Sequence, residues 1–180
     1  SNLYTEDMLA MAKSYLNNCP QNAILFTNSD NDTYPVLFLQ SVKKYRTDVA
    51  VINLSLLATE HYRDAMTRPP YNLVYSLPVA FYDHTLRYLS IMDDENNDSM
   101  SLDEFRKHKG GDVLYHKKIT INRNNTSYAF QLKKRYIDFG NIALLDIVQS
   151  NPDRPISLTF TGANGHILED YLALKGLNWE

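Results

Sequence analysis

Apolar positions recur along this chain with two different periods. Over residues 5–18, Met8, Met11, Ala12, Tyr15 and Leu16 fall at helical spacing behind Thr5 and two acids, which predicts an amphipathic helix closed by Pro20. Residues 23–27 (AILFT) and 49–53 (VAVIN) are instead short apolar runs bounded by polar residues, the pattern of strands covered on both faces. Between them Tyr34, Leu37, Phe38, Ser41 and Tyr45 mark one helix face, with Asp32 or Thr33 as cap and Pro35 in the first turn. Strand, helix and strand within about 30 residues make a βαβ unit, whose strands lie parallel with a right-handed crossover.

Downstream, residues 58–66 predict a helix that stops before Pro69 and Pro70, and 73–75 with 79–81 predict short strands. Residues 93–99 (DDENNDS) read as a surface loop. Ser101 and Glu104 have capping-box spacing, and the helix they begin is expected to end at Gly110 and Gly111. Residues 119–121 and 128–132 predict a hairpin, and Ile142, Leu145 and Val148 a mostly buried helix before Pro152. Residues 156–161 (ISLTFT) predict a further strand, and Ile167, Leu168, Tyr171 and Leu172 a short helix. The fold class expected is α/β, a three-layer sandwich with a mainly parallel, Rossmann-like sheet and a small β-hairpin insertion. Residues 1–180 are taken as a single domain, with 92–135 as the insertion region.

The chain has 180 residues, 44% hydrophobic and 22% charged, which is the balance of a folded globular domain. No apolar run approaches the roughly 20 residues that cross a bilayer. Eighteen basic and 21 acidic residues give a net charge of -3 and no basic footprint, so neither nucleic acid nor an anionic membrane surface is an expected partner. A single cysteine, Cys19, excludes an intrachain disulfide framework. The opening Ser1-Asn2 reads as a piece excised from a larger protein, so any membrane contact is expected through segments outside this chain.

Three apolar strands run directly into polar clusters: Asn28, Asp30 and Asp32; Asn53 and Ser55; and Asn164, Gly165 and His166. Ligands of open α/β sheets bind outside the carboxyl ends of the strands, so these eight residues are the candidate ligand-binding set. Asp30 and Asp32 alternate as in the Asp-x-Asp pairs that hold Mg²⁺ or Mn²⁺ in nucleotide-sugar transferases, which makes them the metal candidates. The competing reading makes Asp32 a helix cap, Asn53 a turn residue and the glycines a tight turn. Asp32 is expected to cap and Asp30 to face the cleft. No paired histidine spacing, GxSxG elbow or nucleotide fingerprint is present, and no catalytic residue is assigned.

The block NAILFTNSDNDTYPVLFLQSVKKYRTDVAVINLSLL (22–57) resembles the soluble C-terminal region of a family of large bacterial multi-pass membrane proteins. That family was formerly catalogued as a domain of unknown function and is described as protein O-mannosyltransferase-like, of the membrane-embedded glycosyltransferase class. The similarity returns at LLDIVQSNPDRPISLTFTG (144–162) and HILEDYLALKGL (166–177); Ser29 stands where the family has a glycine, and Ile167 where leucine follows glycine. The resemblance implies an extracytoplasmic, periplasmic-side domain of a parent glycosyltransferase. The family's carboxylates lie in loops between membrane helices, so none transfers to this sequence. The expected function is accessory binding of glycan or acceptor polypeptide, without catalysis by the domain alone and with no cofactor. The alternatives are a metal-dependent glycosyl transferase or hydrolase using Asp30 and Asp32, and a purely structural or protein-docking module.

Overall fold

The computed structural model describes residues 4–83, 85–92, 98–160, 167–176 and 178–179. The chain runs α1 (Glu6–Asn18), β1 (Ile24–Thr27), α2 (Ser29–Lys43), β2 (Ala50–Asn53), α3 (Glu60–Met66), α4 (Val79–Tyr82), β3 (Tyr88–Ile91) and β4 (Ser99–Ser101). It continues through β5 (Val113–Leu114), β6 (Lys118–Arg123), β7 (Thr126–Gln131), β8 (Tyr136–Asp138), α5 (Phe139–Ser150), β9 (Ile156–Thr159), β10 (Leu174–Lys175) and β11 (Asn178–Trp179). These elements form two compact units, Ser1–Ser55 with Asp153–Glu180, and Leu56–Pro152.

In the first unit the strand order is β10-β11-β9-β1-β2. β1 lies parallel to β2, from Ile24 opposite Ala50 to Thr27 opposite Asn53, and parallel to β9, from Ile24 opposite Ile156 to Phe26 opposite Leu158. The three apolar runs therefore share one parallel sheet, as their two-sided apolar character requires. β11 adds antiparallel to β9, and β10 antiparallel to β11. Thr5 caps α1, its hydroxyl accepting the Met8 N–H at 3.3 Å, and the helix buries Ala12, Tyr15 and Leu16. These side chains pack with Leu25, Val51, Val36 and Leu39 in one cluster.

α2 departs from its predicted limits. It begins at Ser29, directly after the strand, with Asn28 at the cap position and Pro35 inside the helix. The early start depends on Ser29 taking φ +62°, a left-handed turn that redirects the chain within one residue. The buried face is Asp32, Thr33, Pro35, Val36 and Leu39, whereas Tyr34 of the predicted face is exposed. Residues 34–39 are apolar all round, so their period does not fix the phase of the helix.

Arg46 holds the end of α1. Its Nη1 donates to the Leu16 and Cys19 carbonyls at 2.7 and 3.1 Å and its Nη2 to the Pro20 carbonyl at 3.0 Å, satisfying acceptors that a helix C-terminus leaves unfilled. Asp48 orients the guanidinium through bonds of 2.8 and 2.9 Å and accepts the Asn22 N–H at 3.0 Å.

The second unit carries two three-stranded mixed sheets, ordered β5-β3-β8 and β4-β6-β7. The predicted hairpin is β6 and β7, closed by Asn124 and Asn125 at φ 49° and 60°, the left-handed pair that suits strand twist. α5 buries nine residues, and its cap Asp138 accepts the Asn141 N–H at 2.8 Å. Ser101 and Glu104 do form a capping box, but over a 3-10 turn at Leu102–Lys107. Residues 79–82 are helical rather than extended, and 73–75 form no strand. The extended segment is held instead by side chains of α5 and the residue that ends it. The Asn151 amide accepts the Val74 N–H at 3.1 Å and donates to the Val74 carbonyl at 2.9 Å, replacing a neighbouring strand. Asp146 accepts the Ser76 and Leu77 N–H groups at 2.7 and 3.0 Å.

Two outcomes follow. Ser29→Gly is expected to raise stability by up to about 1 kcal/mol in urea unfolding, because a left-handed non-glycine residue is strained by roughly 1–2 kcal/mol and the added chain entropy offsets only part of that. A stability loss would show that the Ser29 side chain matters more than its backbone. The hydrogen bond from Arg46, reinforced by the Asn22 N–H, holds the Asp48 carboxyl down at about 2, below the usual value of about 4. The group is thus depressed on folding, so its stabilisation is full above about pH 4 and is lost as pH falls towards 2. Acid titration of the melting temperature, with Arg46→Met flattening that limb, checks the assignment.

Candidate functional site

The parallel strands β2, β1 and β9 end in Asn53, Thr27 and Thr159, all buried polar residues. Thr27 faces Asn53 in register, and Thr159 lies one step beyond the Phe26–Leu158 pair, so the three form a row across the sheet. Side chains of α2 complete it. The Thr33 hydroxyl donates to the Ser29 carbonyl at 2.6 Å and accepts from the Thr27 hydroxyl at 2.7 Å, and Thr27 Oγ1 lies 3.3 Å from the Ile52 carbonyl as an alternative acceptor. The Thr159 hydroxyl donates to Asp32 Oδ2 at 2.9 Å. Burial, with the Asp32 charge adding to it, pushes the Tyr15 phenol up to about 12.

Asp32 is therefore not the helix cap. Asn28 occupies that position, without a side-chain capping bond, and Asp32 is one turn inside the helix. Two residues on a helix are separated by about 200° of rotation, which turns Asp30 outward and Asp32 inward. An Asp-x-Asp pair that begins inside a helix thus splits between surface and core, whereas in a loop both carboxylates can converge. Among the described residues no group of three His, Cys, Asp or Glu side chains could hold a metal ion.

Asn28, Asp30 and Ser55 are exposed on this same rim, and Asn53 folds back to accept the Ser55 N–H at 2.9 Å. Asn164, Gly165 and His166 lie outside the described residues. Thr27, Thr33 and Thr159 were missed as members of the polar row, although threonine at the close of AILFT and within ISLTFT was a readable signal: it is the last residue each strand buries. No helix among the described residues is long and apolar enough to cross a membrane.

A family model described as TMEM260-associated domain 2 matches residues 8–120, more than half of the chain and the α1–β2 block from its third residue onward. The chain belongs to the TMEM260-associated domain 2 family. No curated protein and no solved structure matches it. In this TMEM260-associated domain the strand-end row is the most polar interior feature of the first unit, and Asp32 is its charged member.

Asp32→Ala is expected to lower stability by about 1–3 kcal/mol, the range for leaving a buried donor without its acceptor, whereas Asp30→Ala stays within about 0.5 kcal/mol. Denaturant midpoints of the two variants decide it; equal effects would remove Asp32 from the polar row.

Proposed function

We propose that this chain is an accessory, extracytoplasmic domain of an O-mannosyltransferase-like membrane protein of bacterial origin, binding glycan or acceptor polypeptide and not catalysing transfer alone. Membership of a TMEM260-associated family supports the link to a membrane protein. The parallel order β2-β1-β9 with α2 as crossover supports a Rossmann-like, three-layer arrangement of the first unit.

The observation that carries the reading is the division of the rim. Asp32 and Asn53 are buried in the row, while Asn28, Asp30 and Ser55 remain exposed above it as amide, carboxylate and hydroxyl. Sugar hydroxyls need such paired donors and acceptors, presented on a rigid edge. The Thr159 hydroxyl donated to Asp32 favours this reading over the alternative in which both aspartates hold Mg²⁺ or Mn²⁺ for a transferase or hydrolase reaction.

Calorimetric titration of the purified chain with mannosides and with unmodified acceptor peptides is expected to give binding weakened about tenfold by Asn28→Ala or Asp30→Ala, the loss of one hydrogen bond. Activated sugar donors are expected to survive incubation with the domain, with or without Mn²⁺. Metal-stimulated donor hydrolysis abolished by Asp30→Asn would replace this function with the metal-dependent one.

A further inference from the structure

The β5-β3-β8 sheet of the Leu56–Pro152 unit has one core face and one open face. Leu89, Ile91, Leu114 and Ile137 are at most 8% exposed, so the residues that alternate with them point the other way. The register sets these outward residues in rows. Ser90 lies opposite Val113 on β5 and Tyr136 on β8, and Tyr88 precedes it by two residues on the same face. Ladder bonds from the Met92 N–H to the Leu114 carbonyl at 2.9 Å and from the Ile91 N–H to the Arg135 carbonyl at 2.8 Å carry the pattern one step further, which sets Met92 between Tyr115 and Lys134. The Tyr88 and Tyr136 rings meet edge to face with centroids 6.3 Å apart, and Lys134 Nζ lies 6.0 Å from the centre of the Tyr136 ring.

The solvent face of such a sheet is ordinarily polar. Here Tyr88, Met92, Val113, Tyr115 and Tyr136 are between 37% and 56% exposed. Together they present roughly 500 Å² of side-chain surface, a patch of the size that carries function on a monomer. A stable dimer needs about 800 Å² from each partner, so a second copy of this chain is too large an occupant for the patch. Charge does not select an anionic bilayer either: Lys133, Lys134 and Arg135 lead into β8, but Asp93, Asp94 and Glu95 follow Met92 directly in the sequence. Asp138, on the same strand as Tyr136, is spent on the first turn of α5. The hydroxyls of Ser90 and of three tyrosines lie among the apolar groups, and an apolar helix laid on them would leave them without partners.

We propose that this open face binds a neutral carbohydrate chain, whose pyranose rings pack their C–H faces on the tyrosine rings while Ser90, Lys134 and the phenols hydrogen-bond the sugar hydroxyls. A sugar ring has the same division as the sheet face, an apolar side and a rim of donors and acceptors. The surface lies in the other unit from the Asn28–Asp30–Ser55 rim and does not depend on it.

The test is amide NMR of the full chain titrated with mannohexaose and with cellohexaose. At least one of the two is expected to give saturable shifts centred on residues 88–92, 113–115 and 134–136, unchanged in Asn28→Ala. Tyr88→Thr and Tyr136→Thr keep the strand preference of the position while removing the ring, and each should weaken binding about tenfold. Tyr136→Phe keeps the ring and should weaken it less. Absence of saturable shifts with both sugars, or binding lost in Asn28→Ala and retained in the two threonine variants, overturns the proposal; the second result leaves the rim as the glycan site. Sedimentation with phosphatidylglycerol vesicles, or dimerisation at micromolar concentration, that disappears in Tyr136→Thr would also overturn it by giving the face to a different occupant.

Discussion

The hydrogen bond from Thr159 to Asp32 joins residues 127 positions apart, and the first unit depends on the return it marks. β1 is an interior strand only because β9 comes back beside it after the whole Leu56–Pro152 segment. Closing a loop of that length carries an entropy penalty on the order of 4 kcal/mol. Ile24, Leu25, Phe26 and Leu158 are fully buried in the resulting sheet, and each such side chain contributes roughly 2 kcal/mol, so burial outweighs closure. What burial does not supply is register. The polar contacts do: Arg154 donates to the Asn22 carbonyl at 3.0 Å at one end of the strands, and Thr159 meets Asp32 at the other.

The second unit solves a related problem with side chains in place of a strand. Residues 74–77 belong to no helix or strand and bend at 76 and 77, so their polar backbone groups need other partners. Asn151 presents an amide with the same donor and acceptor as a backbone peptide and bonds both groups of Val74. Asp146, five residues earlier, takes the Ser76 and Leu77 N–H groups. A helix terminus thereby does the work of a ladder, which is why a stretch with strand-like composition forms no sheet.

The same contrast explains what was readable. The parallel sheet was legible because the apolar runs at 23–26 and 49–52 have few other uses in a chain of this size and ISLTFT is rich in β-branched residues, and the hairpin because it alternates. The start of α2 was not, since it depends on Ser29 entering the left-handed region at a position where the resembled family has glycine; sequence preference for helix begins only later. That four-residue difference in the helix start also decided the site. With the helix starting at Thr33, Asp32 would be its cap and Asp30 would lie in the preceding loop; with it starting at Ser29 both lie on the helix, Asp30 outward and Asp32 inward. The strands β3, β4, β5 and β8 are two to four residues long, too short for a period to emerge, and they become visible only through their partners.

Arg63 and Asp146 are both buried charged residues, and their surroundings differ. Asp146 accepts from five donors contributed by four residues on three segments, so its environment is complete and its removal would strand groups that have no other use. Its role is to fix the chain. Arg63 has one carbonyl and one aromatic face, and retains a donor aimed at nothing among the described residues. A purely structural cation in that position would be replaceable by an apolar side chain of similar volume, often with a gain in stability. The surroundings of Arg63 are thus incomplete among the described residues where those of Asp146 are complete, and the strand-end row of the first unit, internally bonded through Thr27, Thr33, Thr159 and Asp32, resembles Asp146 in this respect.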